Sequence, residues 1–338
     1  MDTFIGELPK LFDREFAMAF LLPVMIFIVL INEIANIFVK GFNLLDLLQN
    51  NLIISTTILG LVSWLIGILL LMANRFLYRV LEADFEWKPL KFFTKFFTEF
   101  EKNRYHKLIN KIKGPCKEDC KEYCKLDKFP PVEQEKSRKL MIELYTQFPD
   151  QKCLILPTRF GNAMRASEVY PRVMYGIESK AGWSRMLTVI PKDYRDLMDN
   201  QKAHIDLWVN VAFLGIGLIL EYLYLLGMAI FNRPIQTAIQ SWWILVPIII
   251  VIAIKGSTVF ARNAVVDWGD YFKAAFDVYS PQLRKSLGFE LPKNRKEEIK
   301  QWTNFSHAII CHKPKFIPEL EKQNTSTELK RRNKSKAK

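Results

Sequence analysis

Four long apolar stretches govern what this chain can become. They cover residues 17–39, 52–73, 205–231 and 241–260, the last running past Lys255 toward Phe260. Each approaches the ~20 residues with which a helix crosses ~30 Å of hydrocarbon. The chain is 50% hydrophobic and 25% charged, so the two classes must be segregated along the sequence. That balance excludes a disordered chain, and 5 Cys in 338 residues exclude a disulfide scaffold. The predicted fold class is all-α: a membrane protein with four transmembrane helices, long helices extending out of the membrane, and a mostly helical cytoplasmic domain.

Lysine and arginine set the expected orientation. The short connections between spans one and two and between spans three and four hold one basic residue each, Lys40 and Arg233. Residues 75–205 hold 26 and residues 255–338 hold 18. The basic side faces the cytoplasm, which puts both termini and the long middle segment inside a multi-pass cell (cytoplasmic) membrane protein. Arg75, Arg79, Lys202 and Arg262, close to the span ends, agree. Trp242 and Trp243 then mark the outer interface. Pro23 and Pro247 lie inside spans and require neighbours to serve the backbone groups they free. The first apolar stretch is too long for a cleavable signal and reads as a retained anchor.

The expected organisation follows. Residues 1–82 form an N-terminal segment and the first pair of spans. Residues 83–190 form the cytoplasmic domain, with a short strand expected at 153–156. Residues 191–287 form a long helical hairpin carrying spans three and four, residues 288–318 a cytoplasmic segment, and residues 319–338 a disordered basic tail. A helix from Pro191 to Phe231 would be ~60 Å long, twice the hydrocarbon thickness. The apolar pattern of span four runs on through Val278 and is expected to stop before Pro281. Residues 88–101 read KPLKFFTKFFTEFE. Phe92, Phe93, Phe96, Phe97 and Phe100 share one helical face; Lys91, Lys95, Glu99 and Lys102 share the other. This amphipathic helix either lies in the inner interface or packs on its own bundle. The basic tail is first of all a solvated segment that reinforces topology. Anionic inner-leaflet lipid is the expected partner surface, and nucleic acid is not counted among the partners.

Three groups of residues carry candidate chemistry. Cys116, Cys120 and Cys124 repeat at four-residue spacing, on one helical face, beside Lys117, Lys121 and Lys125. Three thiolates and a fourth ligand would suit zinc or an iron–sulfur cluster; surface-helix cysteines are the preferred reading, with no cofactor. Glu33 and Glu221, with Asn32 and Asn36, are the intramembrane polar residues. They either line a cation path, or are protonated and hydrogen-bonded, or reach the outer headgroups. Asn210 and the hydroxyls of span two read as interhelical hydrogen bonds. Residues 156–186 combine Arg159, Asn162, Arg165, Glu168, Tyr175 and Arg185 with Gly161. They suit an anion or ligand contact at a helix start, or a structural knot of Arg–Glu pairs, with Glu168 and Arg172 paired at i,i+4; the knot is preferred.

Two segments carry a resemblance. One reads Thr158-Arg159-x-Gly161-Asn162-x-x-Arg165-Ala166-x-Glu168-x-Tyr170-Pro171, followed by Tyr175-Gly176-Ile177. The other runs from Tyr271 to Tyr279 and is followed by Leu287-Gly288 and Leu291-Pro292. Over residues 155–302 the chain resembles a family of uncharacterised bacterial four-helix integral membrane proteins. It departs from that family at Glu178, where the family carries aspartate, and at Trp183-Ser184-Arg185, where it carries Trp-Pro-Arg. The resemblance implies the architecture and no activity.

No Walker, dinucleotide-binding, H-E-x-x-H or G-x-S-x-G motif is present. Three functions are expected, in order. The first is an oligomeric, channel-like or membrane-perturbing protein controlled by a ligand or protein at its cytoplasmic domain. The second is a non-conducting anchor or scaffold for a signalling complex at the inner leaflet. The third is a membrane-embedded enzyme with an unrecognised site.

Overall fold

The structure is a computed structural model that describes residues 13–38, 52–83, 91–113, 131–232 and 245–318. Among these residues the chain forms helices and no strand. They are α1 (Arg14–Phe38), α2 (Leu52–Glu82), α3 (Lys91–Lys113), α4 (Pro131–Gln147), α5 (Arg159–Tyr175), α6 (Ser179–Met186), α7 (Lys192–Asn232), α8 (Leu245–Ser286) and α9 (Arg295–Cys311). Short 3-10 turns cover Lys152–Leu154 and Pro314–Phe316. Helices α1, α2, α7 and α8 are long and apolar enough to cross a membrane.

Sequence periodicity placed these long helices well and missed local endings. α7 has 41 residues and starts next to Pro191, as its pattern predicts. α8 has 42 residues and passes Pro281 instead of stopping before it. Pro281 is exposed, so water can serve the Asp277 carbonyl that the proline leaves without its i+4 donor. α3 runs twelve residues beyond the amphipathic stretch that ends at 101, because Tyr105, Leu108, Ile109 and Ile112 continue the pattern and pack on Leu140 and Leu144 of α4 and on Phe148 just after it. The strand expected at 153–156 is a 3-10 turn, closed by Leu154 N–H donating to the Gln151 carbonyl at 2.9 Å. No neighbouring strand is there among the described residues to complete a ladder.

Contacts divide the chain into two units. One holds the described residues of Met1–Ala166 and Asp196–Gly269; the other holds those of Ser167–Arg195 and Asp270–Lys338. The described residues of 83–166 fall in the first unit and those of 167–190 in the second.

In the first unit, Leu77 of α2, Phe160, Ala163 and Met164 of α5, Ile205 and Val209 of α7, and Ala261, Ala264 and Val265 of α8 make one core. The alanines let helix axes approach closely. Gly215 serves the same end on α7, since a Cβ there would meet Ile254 Cγ1 at 2.7 Å. A second cluster joins Ile34 and Phe38 of α1 to Leu218 and Tyr222 of α7 and Ile250 of α8. A third joins Phe16, Ala19 and Phe20 of α1 to Trp64 and Ile68 of α2 and Ala203 of α7. Leu61, Leu65, Leu69, Met72 and Phe76 of α2 are exposed. Their spacing of three or four residues makes them one outward stripe.

The second unit has an aromatic core. Trp183 lies 4.7 Å from Phe272 and 6.1 Å from Phe276, ring to ring, and Trp302 contacts Phe289 and Phe305. Gly176 reverses the chain with φ +79°, and a Cβ there would meet the Ile299 carbonyl of α9 at 2.7 Å. Only glycine combines that backbone with that approach.

Candidate functional site

Pro23 determines one end of a polar line through the first unit. It has no N–H, so the Ala19 carbonyl lacks its ordinary i+4 donor. The helix widens into a π-helical turn over Ala17–Leu21, where Leu22 N–H reaches back to the Ala17 carbonyl. Asn210 of α7, fully buried, donates Nδ2 to the Ala19 carbonyl at 2.8 Å. A neighbouring side chain thus supplies the missing donor, the condition on which membrane helices tolerate an internal proline.

One turn before Asn210 lies Asp206, 4% exposed. Its Oδ1 accepts from Asn74 Nδ2 at 2.9 Å and from the Tyr78 hydroxyl at 2.7 Å, both on α2. Its Oδ2 faces Lys202 Nζ at 3.3 Å, one turn earlier on α7. Three donors from two helices hold a buried carboxylate, which is how such a charge is tolerated in a protein interior.

The carboxamide orientations are fixed by these bonds. Each Nδ2 is committed, to Asp206 or to Ala19, so each Oδ1 must be the other end of its amide. Asn74 Oδ1 and Asn210 Oδ1 are enclosed and meet no donor among the described residues. Glu221 Oε2, further along α7, is in the same state. Lys202, Asp206, Asn210 and Glu221 fall within about 100° of one another around α7 and extend over roughly 28 Å of its length. One face of a single helix therefore carries two carboxylates and two enclosed, undonated oxygens. Such atoms take a water, a proton or a small cation.

The intramembrane residues expected from sequence separate. Glu221 belongs to this face of α7. Glu33 is exposed on α1, while its neighbours Ile34 and Phe38 face the core; Asn32 and Asn36 are half-buried. Asn74 and Tyr78 carry no functional signal of their own in the sequence, and Lys202 and Asp206 read there only as charges near the start of span three. The i,i+4 pair Asn74–Tyr78 at the end of an apolar helix was the available signal.

The 156–186 residues also separate. Asn162 is fully buried, accepting Leu156 N–H at 2.7 Å and donating to the Leu156 carbonyl at 3.0 Å. The first turn of α5 is closed by Thr158, whose Oγ1 accepts Gly161 N–H and whose carbonyl accepts Asn162 N–H, each at 3.0 Å. Those N–H groups are therefore already occupied. Arg159 approaches Glu101 of α3 at 3.7 Å. Arg165 and Glu168 are half-buried on α5. Arg172 pairs with Glu178 at 3.6 Å, and not with Glu168 as the i,i+4 spacing predicts, because the turn at Gly176 brings Glu178 back alongside. In the second unit Arg185 donates to the Ala181 carbonyl at 2.9 Å and lies over the Phe305 ring.

Tyr175 and Tyr170 both donate to Asp277, at 2.6 and 2.9 Å, and the Arg295 guanidinium lies 4.8 Å from the Tyr175 ring centre. Partial burial, and then the bond to Asp277, push Tyr170 up to about 12 and Tyr175 further in the same direction. The two resembling segments thus meet at this carboxylate.

No protein-family model, curated protein or solved structure matches this chain.

Among the described residues no group of three or more His, Cys, Asp or Glu is placed to hold a metal ion. Cys116, Cys120 and Cys124 lie outside the described residues, as do Trp242, Trp243 and the basic tail. Cys153 and Cys311 are exposed free thiols.

Proposed function

We propose that this is a multi-pass membrane protein, both termini cytoplasmic, that passes protons or small cations along the polar face of α7 as an oligomeric, channel-like protein. The observation that carries the reading is the line Asp206–Asn210–Glu221 with its enclosed, undonated oxygens. From Asp206 to Glu221 is about 22 Å of helix, most of the ~30 Å of hydrocarbon. The charge distribution supports the orientation, with Asp206 at the cytoplasmic end and Glu221 in the outer half. The exposed α2 stripe and Glu33 on α1 supply lipid-facing or copy-facing surface, so assembly of several copies fits the same arrangement. A control signal is received by the cytoplasmic part of the chain.

One observation favours a second reading, a non-conducting anchor or scaffold. Asp206 is held by three donors, which also suits a strut between α2 and α7.

The test is proton and potassium flux into liposomes holding the purified full chain, with oligomeric mass measured on the same sample. Conduction along α7 predicts that Glu221→Gln and Asp206→Asn each lower flux at least tenfold. Glu33→Gln then tests whether surface between copies contributes. Absence of flux from wild-type protein, or flux unchanged by Glu221→Gln and Asp206→Asn, would leave the anchor reading in front.

A further inference from the structure

A cluster of arginines in the first unit lies on helices other than α7. Glu101 of α3 has a side chain only 4% exposed and faces Arg104 Nη1 at 3.1 Å and Arg159 Nε at 3.7 Å. Arg104 has several further partners. It also bonds Gln147, lies 3.9 Å from Glu143, and sits 5.0 Å from the Phe148 ring centre. Arg159 offers only Nε to Glu101, and its side chain is 51% exposed. Arg262 of α8 is half-buried and sits in the field of Arg104 and Arg159 as well as of Glu101 and Glu143. Its hydrogen bonds among the described residues go to its neighbour Asn263, with Nη2 at 2.9 Å. Three guanidinium groups therefore stand against two carboxylates, Glu101 and Glu143, an excess of one positive charge within this set. Among the described residues no hydrogen-bond partner is seen for Arg159 Nη1 and Nη2 or for Arg262 Nη1.

An apolar ridge adjoins this charge. Phe96, Phe97 and Phe100 of α3 are about half exposed or more. Arg104 follows Phe100 by one turn on the same face of the helix. The far half of α3 is covered by α4 and the residue after it, through Leu108, Leu144 and Phe148; among the described residues nothing encloses the rings of Phe96, Phe97 and Phe100. Lys95 is exposed on the same half. Exposed aromatic rings beside excess guanidinium charge match a molecule that is apolar at one end and anionic at the other.

We propose that Arg159 and Arg262 bind the phosphate of an anionic phospholipid whose acyl chains lie on Phe96, Phe97 and Phe100. Glu101 and Arg104 are positioning residues that hold Arg159 in place. This rests on the membrane reading above and is independent of any conduction along α7. The excess charge selects against phosphatidylcholine, whose phosphate is already paired with its own cation.

The experiment is native mass spectrometry of the detergent-purified full chain titrated with phosphatidylglycerol or phosphatidylcholine. Phosphatidylglycerol should be retained preferentially. Arg159→Gln with Arg262→Gln should weaken that retention roughly thirtyfold, by the usual contribution of two basic residues at an anionic surface, and leave phosphatidylcholine unchanged. The Arg159→Gln single variant, altered at a half-exposed side chain, carries the test should the double variant unfold. Lys107→Gln, on an exposed part of α3, should retain lipid like the wild type. Equal retention by wild type and the arginine variants overturns the proposal, as does an equal loss in Lys107→Gln. Displacement of phosphatidylglycerol by millimolar glycerol phosphate overturns it in favour of a soluble phosphate ligand. Alkaline extraction of membranes separates the two readings. A chain released from the membrane defeats the membrane assignment itself, whereas a retained chain without lipid preference defeats only this site.

Discussion

Asp206 and Asp277 each accept a tyrosine hydroxyl, and their surroundings differ. Asp206 is 4% exposed, between α2 and α7, and relies on Asn74, Tyr78 and Lys202. Asp277 is exposed on α8 and takes Tyr170 and Tyr175. In the first setting bulk water has little access to replace a lost partner; in the second it can do so. The same pair of functional groups is therefore an enclosed strut at one place and an adjustable surface clamp at the other.

The contrast is broken most directly by deleting the buried carboxylate. Asp206→Ala is expected to cost about 3 kcal/mol, because it leaves Asn74 Nδ2 and the Tyr78 hydroxyl without their acceptor. Thermal denaturation in detergent measures it, and a cost no larger than that of Asp277→Ala would remove the distinction.

The second unit has its own sensitive point, in the backbone. Gly176→Ala is expected to cost about 2 kcal/mol, since alanine at φ +79° is strained and its Cβ collides with the Ile299 carbonyl. Limited proteolysis of the connection between α5 and α6 reports the loss.

The proline account of the first unit is sharpened by a cycle. Asn210→Ala alone should cost about 1 kcal/mol by stranding the Ala19 carbonyl. With Pro23→Ala in the same chain, residue 23 can donate its N–H to Ala19, so the further cost of Asn210→Ala should shrink. Equal costs in both backgrounds would disconnect Asn210 from the proline.

The smallest effect belongs to the exposed clamp, where Asp277→Asn should change stability by less than about 1 kcal/mol. Its signature is in pH. Tyr170 has its folded value raised from 10.0 to about 12, so its contribution is complete below pH 10 and lost as pH rises toward 12. Tyrosinate absorbance should show this late titration in the wild type and an earlier one in Asp277→Asn. Identical titrations would separate the shift from Asp277.

The sequence reads best where the physics is local and periodic. Four apolar runs, and the extension of α7 back to Pro191, follow from side-chain pattern alone. α8 continues past Pro281, where the freed carbonyl can reach water, and that exposure is not written in the local sequence. α3 was drawn too short because its second half is amphipathic on a face that makes sense only with α4 present. The site was half legible. Glu221 stands out as an acid in an apolar run; Asn74 and Tyr78 are ordinary residues until α2 meets α7.

Composition and periodicity by themselves determined the all-helical class, the four long apolar helices and the places where charge gathers. Those properties depend on hydrophobicity and on neighbours within a few turns. Tertiary structure decided which polar residues are enclosed, that Glu33 looks outward while Glu221 looks inward, that Arg172 chooses Glu178, and that Asn210 completes a helix interrupted 187 residues earlier at Pro23. The physical reason is common to all four: the cost of an unpaired polar group is set by what surrounds it, and most of what surrounds it comes from elsewhere in the chain.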